Sequence, residues 1–115
     1  MKTNSIKLSA FHGDPKLKDF YIDRVRRHRA ADELIQKTGW DGSKGCSIGC
    51  TLESYDHTLF QEKLGLPIWL AYNNDSIFEG LQGEDSLSFP EEFLSAIHVG
   101  VDYTDMWYDW NYLVL

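Results

Sequence analysis

The chemistry-bearing side chains gather around KGCSIGC (residues 44–50), where Cys46 and Cys50 each follow a glycine and the pair Asp56-His57 comes a few residues later. Two thiols with an imidazole and a carboxylate nearby are the donor types of a zinc site, or of a cysteine nucleophile with its base. Upstream, Arg24, His28 and Asp32 stand at intervals of four; downstream, Glu79 stands four after Asp75. That interval brings side chains onto one face of a helix. A zinc site would draw on Cys46, Cys50, His57 and His28. Their order matches no finger, and C-x3-C is not the C-x2-C of zinc knuckles or thioredoxin-like motifs. The sequence therefore predicts no stoichiometric zinc and no cofactor. No serine lies in a nucleophile-elbow context, and neither GxxxxGK[ST] nor GxGxxG occurs. Attack by a cysteine with His57 or His28 as base is chemically open, with no substrate specified.

The elements that must position these groups are short. Asp14 as N-cap and Pro15 at the first helical position open a helix over 15–37 that stops at Gly39. Winding it gathers Leu17, Phe20, Tyr21, Val25, Ala31 and Ile35 on the core side, with Arg26 opposite and Arg29 well off that side. Arg24, His28 and Asp32 fall on the inward side as a polar seam. Charges there need partners, and a structural network with a satisfied His28 is the more ordinary outcome than a ligand site. Gly39, Gly42, Gly45 and Gly49 disfavour regular helix and predict a tight loop, packed against the first helix with the two sulfurs unbridged. Small-residue packing is the ordinary role for such cysteines.

Ser54 caps a helix over 55–64, with Asp56 in its first turn and Gly65 as its stop. His57 then lies near a helix N-terminus, which disfavours the imidazolium and leaves a nitrogen able to bind metal or accept a proton. A capping or core hydrogen bond is its ordinary alternative. Pro67 opens IWLAYNNDSIFEGL, apolar on nearly all sides except at Asn73, Asn74, Asp75 and Ser76, as for a central buried helix. Pro90 opens a short helix, PEEFLSAI, and Asp102 or Thr104 caps a last one with Tyr103, Trp107, Trp110 and Val114 at helical spacing. Its apolar end needs cover from the core, from a partner or from further chain.

With 115 residues, 43% of them hydrophobic and 14% aromatic, the chain supports one core, read as a single helical domain over 1–115. Eighteen acidic against eleven basic residues give a net charge of −7, which repels polyanions and speaks against nucleic-acid binding. Lys16, Lys18, Arg24, Arg26, Arg27 and Arg29 crowd the first third, while residues 75–110 are acidic; the two regions suit each other. No stretch reaches the roughly 18 apolar residues of a membrane span, and MKTNSIKLSAFHG has no signal-peptide core. A cytoplasmic protein with reduced thiols is expected.

The blocks HRAADELI, KGCSIGCT, YDH, LGLPIWLA, DSIFEGL, FPEEFLSAI and VGVD, in that order over about residues 25–102, resemble a family of uncharacterised bacterial and phage proteins. Its members read roughly HRAADxI, GKGCAVGCT, DHxxYExxLGIPxxLARLEDxIFEGL and AIPVGAD. The resemblance names no reaction. It implies an apolar C-terminal continuation that begins where this chain ends, as for a truncated or short member. Its blocks map onto His28, Asp32, Cys46, Cys50, Asp56, His57, Asp75 and Glu79, with Arg24 outside them. Tyr72-Asn73-Asn74 replaces an Arg-Leu-Glu-like run, and His98 replaces a proline.

The sequence thus predicts a mostly α, small single-domain bundle of about five short helices, with a Gly/Cys-rich loop after the first. Its function is expected to be non-enzymatic binding of a protein partner, without direct nucleic-acid or membrane contact, and with self-association through Trp107, Trp110 and Val114. A phage setting suits an acidic protein that occupies the basic channel of a host nucleic-acid-binding complex. The rival is a metal- or thiol-dependent enzyme, which requires His28, Asp32, Cys46, Cys50 and His57 to converge on one open pocket.

Overall fold

In the computed structural model, which describes residues 8–103, the first helix starts where Asp14 and Pro15 require. The Asp14 carboxylate accepts the Lys16 N–H at 2.9 Å, and α1 runs Pro15–Ala30. It ends seven residues earlier than the sequence predicts. Asp32 adopts the left-handed conformation (φ 58°), the Glu33 N–H donates to the His28 carbonyl at 2.9 Å and the Asp32 N–H to that of Arg29 at 3.1 Å. This is a Schellman motif with aspartate in the usual glycine position, which the periodic pattern conceals. Arg27, His28 and Arg29 occupy the last turn, where positive charge suits the helix dipole. The buried face is Tyr21, Ile22 and Val25; Phe20 and Ile35, expected inward, are 47% and 38% exposed, and Ala31 is exposed as well.

The chain from Glu33 to Cys46 folds back on itself around Gly45. The Gly45 N–H donates to the Glu33 carbonyl, the Ile35 N–H to Gly45, and the Cys46 N–H to the Gly39 carbonyl, at 2.9, 2.8 and 2.9 Å. The predicted loop holds to Gly45. Beyond it, Ser47–Leu52 forms α2, a helix that the glycines hid. All six of its residues are buried, and it packs against α1, α4 and α5. A six-residue helix buried on every side has no amphipathic period to read. The glycines serve close approach instead: a Cβ at Gly49 or Gly45 would lie 1.9 or 2.3 Å from the Gly39 carbonyl oxygen.

Helix α3 is Thr58–Leu64, three residues later than expected, with His57 rather than Ser54 at its N-cap position and the Asp56 carboxylate just before it holding the first turn. The Asp56 carboxylate accepts from the Thr58 hydroxyl at 2.5 Å and its N–H at 3.0 Å, and these bonds hold the carboxyl below its ordinary pKa. Gly65 ends the helix at φ 68°. Pro67 precedes α4, Ile68–Gly80. This helix is not the all-round buried one: only Ala71, Asn74 and Phe78 are buried, while Tyr72 and Ile77 are 56% and 43% exposed. Helix α5, Glu84–Ala96, starts before Pro90 and carries it in its interior. Gly83 provides an entry at positive φ (57°) and Glu84 and Asp85 fill the first turn, signals that override the proline boundary.

Helices α1 and α5 pack together, and the basic first third meets the acidic last third along that contact. Arg26 pairs with Glu91 at 2.9 Å and Arg29 with Glu84 at 3.1 Å. Lys18 donates to the Ser95 and Ile97 carbonyls at 3.0 and 2.8 Å, covering the C-terminal end of α5. The charge segregation is thus met partly inside the fold, although exposed pairs of this kind contribute little each. A short 3-10 turn, Ala10–Gly13, is tied to residues 100–103: the Ala10 N–H donates to the Val101 carbonyl at 2.8 Å and the Gly100 N–H to Ala10 at 2.9 Å. The core joins Phe11, Phe60, Phe78, Ile48, Leu64, Leu66 and Leu94. Among the described residues no strand forms and no helix is long and apolar enough to cross a membrane. The predicted last helix, with Trp107, Trp110 and Val114, lies outside the described residues.

Candidate functional site

The candidate polar residues fall into two networks, only the first of which contains members of the predicted seam. In the first, α1 presents Arg24 and His28 to the end of α2. His28 Nδ1 lies 2.7 Å from Glu33 Oε1 and Nε2 lies 2.9 Å from Glu53 Oε2; the two bonds form together when each ring nitrogen carries a proton. Arg24 donates to the Thr51 carbonyl at 3.1 Å and lies 3.7 Å from Glu53. Trp40 meets the His28 ring edge-on at 5.5 Å. Asp32 has left this group, since the Schellman turn carries it off the helix face and into solvent. Glu33 and Glu53, unpredicted, take its place as the charge partners of His28.

The second network lies between α2 and α4. Cys46 Sγ and the Asp75 and Glu79 carboxylates bring one ligand atom each to within 4.8 Å of one another. The Tyr55 hydroxyl donates to Asp75 Oδ2 at 2.6 Å, and this bond is the main cause of a strong upward shift of the phenol. His57 Nε2 is 3.5 Å from Asp75 Oδ2. Its ring stacks on Tyr72 at 4.4 Å and meets Tyr55 edge-on at 4.8 Å. The Glu79 carboxylate accepts the Lys37 N–H, at 2.9 and 3.1 Å. Sequence reasoning named Asp75 and Glu79 from their spacing and missed Tyr55, Tyr72 and Trp40. Aromatic side chains carry no positional signal until the fold is known.

Cys46 and Cys50 serve different neighbourhoods and are unbridged. The Cys50 thiol points to the Gly45 and Glu33 carbonyls, at 3.3 and 3.5 Å. Asp56 is spent on holding the first turn of α3. The five residues required by the enzyme reading are thus divided: His28 lies in the first network, Cys46 and His57 in the second, Cys50 faces backbone carbonyls and Asp32 is exposed. An open depression of about 570 Å3 is lined by Lys37, Thr38, Gly39, Trp40, Tyr55 and Glu79. Its walls border both networks.

Burial pushes the Cys46 thiol up to about 11, against opposing backbone N–H groups and with the Asp75 charge adding to the rise. Burial likewise pushes Cys50 up to about 12. Neither is an activated nucleophile, since the thiolate is the reactive form. Both thiols are expected to resist a disulfide reagent in the native protein at pH 8 and to react at once after unfolding in urea; rapid native labelling of Cys46 would contradict this environment. A thiol held neutral in the fold contributes stability that is complete below its ordinary value of 9.0. That contribution is lost as pH rises through the folded values, so stability should fall on the alkaline side.

The fold and its paired networks define a small helical protein with a structured polar interior. Comparison with protein-family models, with curated proteins and with solved structures finds no match.

Proposed function

We propose that the protein works by binding rather than turnover, as a non-enzymatic module for a protein partner that presents basic side chains. The observation that carries this reading is the open depression walled by Trp40 and Tyr55, with the Glu79 carboxylate at its edge. Aromatic faces and a carboxylate attract a lysine or arginine side chain through cation–π and charge terms together. The net charge of −7 adds a long-range field that draws in a basic surface. The two protonated, buried thiols and the division of the polar residues into separate networks weigh against thiol chemistry. A host nucleic-acid-binding complex with a basic channel is the partner class that the phage-family resemblance suggests, and unbridged cysteines fit a cytoplasmic setting.

The test uses an arginine-bearing peptide and a glutamine-substituted copy, titrated by fluorescence anisotropy. The parent should bind the first and not the second. Tyr55→Leu should weaken binding about threefold or more, the range of an exposed cation–π contact, while Tyr55→Phe, which keeps the ring, should bind like the parent. Equal binding by the parent and Tyr55→Leu, or by the two peptides, would remove the reading.

A further inference from the structure

We propose that Cys46, Asp75 and Glu79, with His57 turning in from beside Asp75, form a binding site for a divalent transition-metal ion of the zinc type, held between α2, α4 and the entry to α3. The donor set differs from the one weighed in the sequence: Cys50 and His28 are engaged elsewhere, and α4 supplies two carboxylates in their place.

Three observations lead to it. The thiol and the two carboxylates already lie within 4.8 Å of one another. Asp75 and Glu79 stand one turn apart on α4, beside a buried thiol, and among the described residues no lysine or arginine forms an ion pair with either. Such a concentration of acidic groups, partly withdrawn from water, calls for a cation.

The third observation points at a ligand directly. The His57 side chain is 10% exposed, its Nε2 is buried without a hydrogen-bond partner, and so is Asp75 Oδ1. Stacking on Tyr72 and the edge contact with Tyr55 hold the ring so that Nε2 faces the Asp75 carboxylate. Unmade bonds at buried polar atoms are costly, and one coordinated ion would meet both. Sulfur and carboxylate oxygen supply three donors that lie together, and a swing of the His57 ring from beside Asp75 would add imidazole nitrogen as the fourth ligand of a closed, structural kind of zinc site. The Tyr55 hydroxyl would orient the Asp75 carboxylate from outside, as outer partners of metal ligands do. On binding, the metal–sulfur bond forms as the Cys46 S–H bond breaks, and the proton leaves to solvent.

The experiment is a titration of chelator-treated, full-length protein with Co2+ as the spectroscopic probe, followed by Zn2+ displacement. It requires no peptide, and because Glu79 serves both readings the peptide titration above is run on chelator-treated protein, which keeps the two outcomes separate. One equivalent should bind with a near-ultraviolet sulfur-to-cobalt charge-transfer band. Cys46→Ser should abolish the band, Glu79→Gln should weaken binding at least about tenfold, the loss that even an outer partner can cause, and Cys50→Ser should bind like the parent. Glu79→Gln carries the test if Cys46→Ser does not fold. Less than one equivalent bound by folded parent, binding without the band, or parent-like binding by Glu79→Gln overturns the proposal.

Discussion

Gly49→Ala is expected to destabilise the protein by at least about 3 kcal/mol, the upper range for overpacking a core, or to prevent folding altogether. Inside a helix this substitution ordinarily gains close to 1 kcal/mol from propensity. Here the sign reverses because the new Cβ would stand 1.9 Å from the Gly39 carbonyl oxygen and 2.9 Å from its carbon. Those are backbone atoms, so no side-chain rotation relieves the overlap. The Gly39 carbonyl also accepts the Cys46 N–H, and displacing it would loosen the start of α2. Gly80→Ala is the matched control, since a Cβ there meets nothing within 4 Å, and it should be neutral or slightly stabilising. Urea denaturation of the two variants decides the matter; a parent-like midpoint for Gly49→Ala would mean that α2 does not sit against Gly39.

His28→Ala should cost more than about 1 kcal/mol, as expected when a hydrogen-bonded group is removed and its partners are left facing one another. The His28 side chain is 12% exposed and bridges Glu33 and Glu53. Without it, Glu33 loses its imidazole partner, Glu53 keeps the more distant Arg24, at 3.7 Å, and α1 holds the end of α2 through the Arg24 bond to the Thr51 carbonyl without the help of His28. Part of the loss is screened, because Glu53 is 43% exposed. A double-mutant cycle with Glu33→Gln separates pair energy from packing, and coupling should be positive and measurable. An unchanged denaturation midpoint for His28→Ala, with no coupling, would leave the network without energetic weight.

Local chemistry made part of this molecule readable. Asp14 and Pro15 start α1, Gly65 ends α3 and Pro67 precedes α4 as their residue types require, because caps and stops act within one turn of chain. The four-residue interval from Asp75 to Glu79 likewise puts both carboxylates on one face of α4 whatever the rest of the fold does. Four features were not readable from residue types and period. The left-handed Asp32 ended a helix whose apolar period continued to Ile35. Glycines that read as loop residues became the contact surface of α2, whose full burial erased the periodicity by which a helix is recognised. Pro90 was accommodated inside α5. The partners of the candidate residues, Glu53 for His28, and Asp75 for Cys46 and His57, were set only when α2 packed between α1 and α4, whereas Glu33 reaches His28 through the turn that ends α1. A side chain's charge is written in its residue type, whereas its neighbour depends on which helices meet, and that is decided by the burial of the core as a whole.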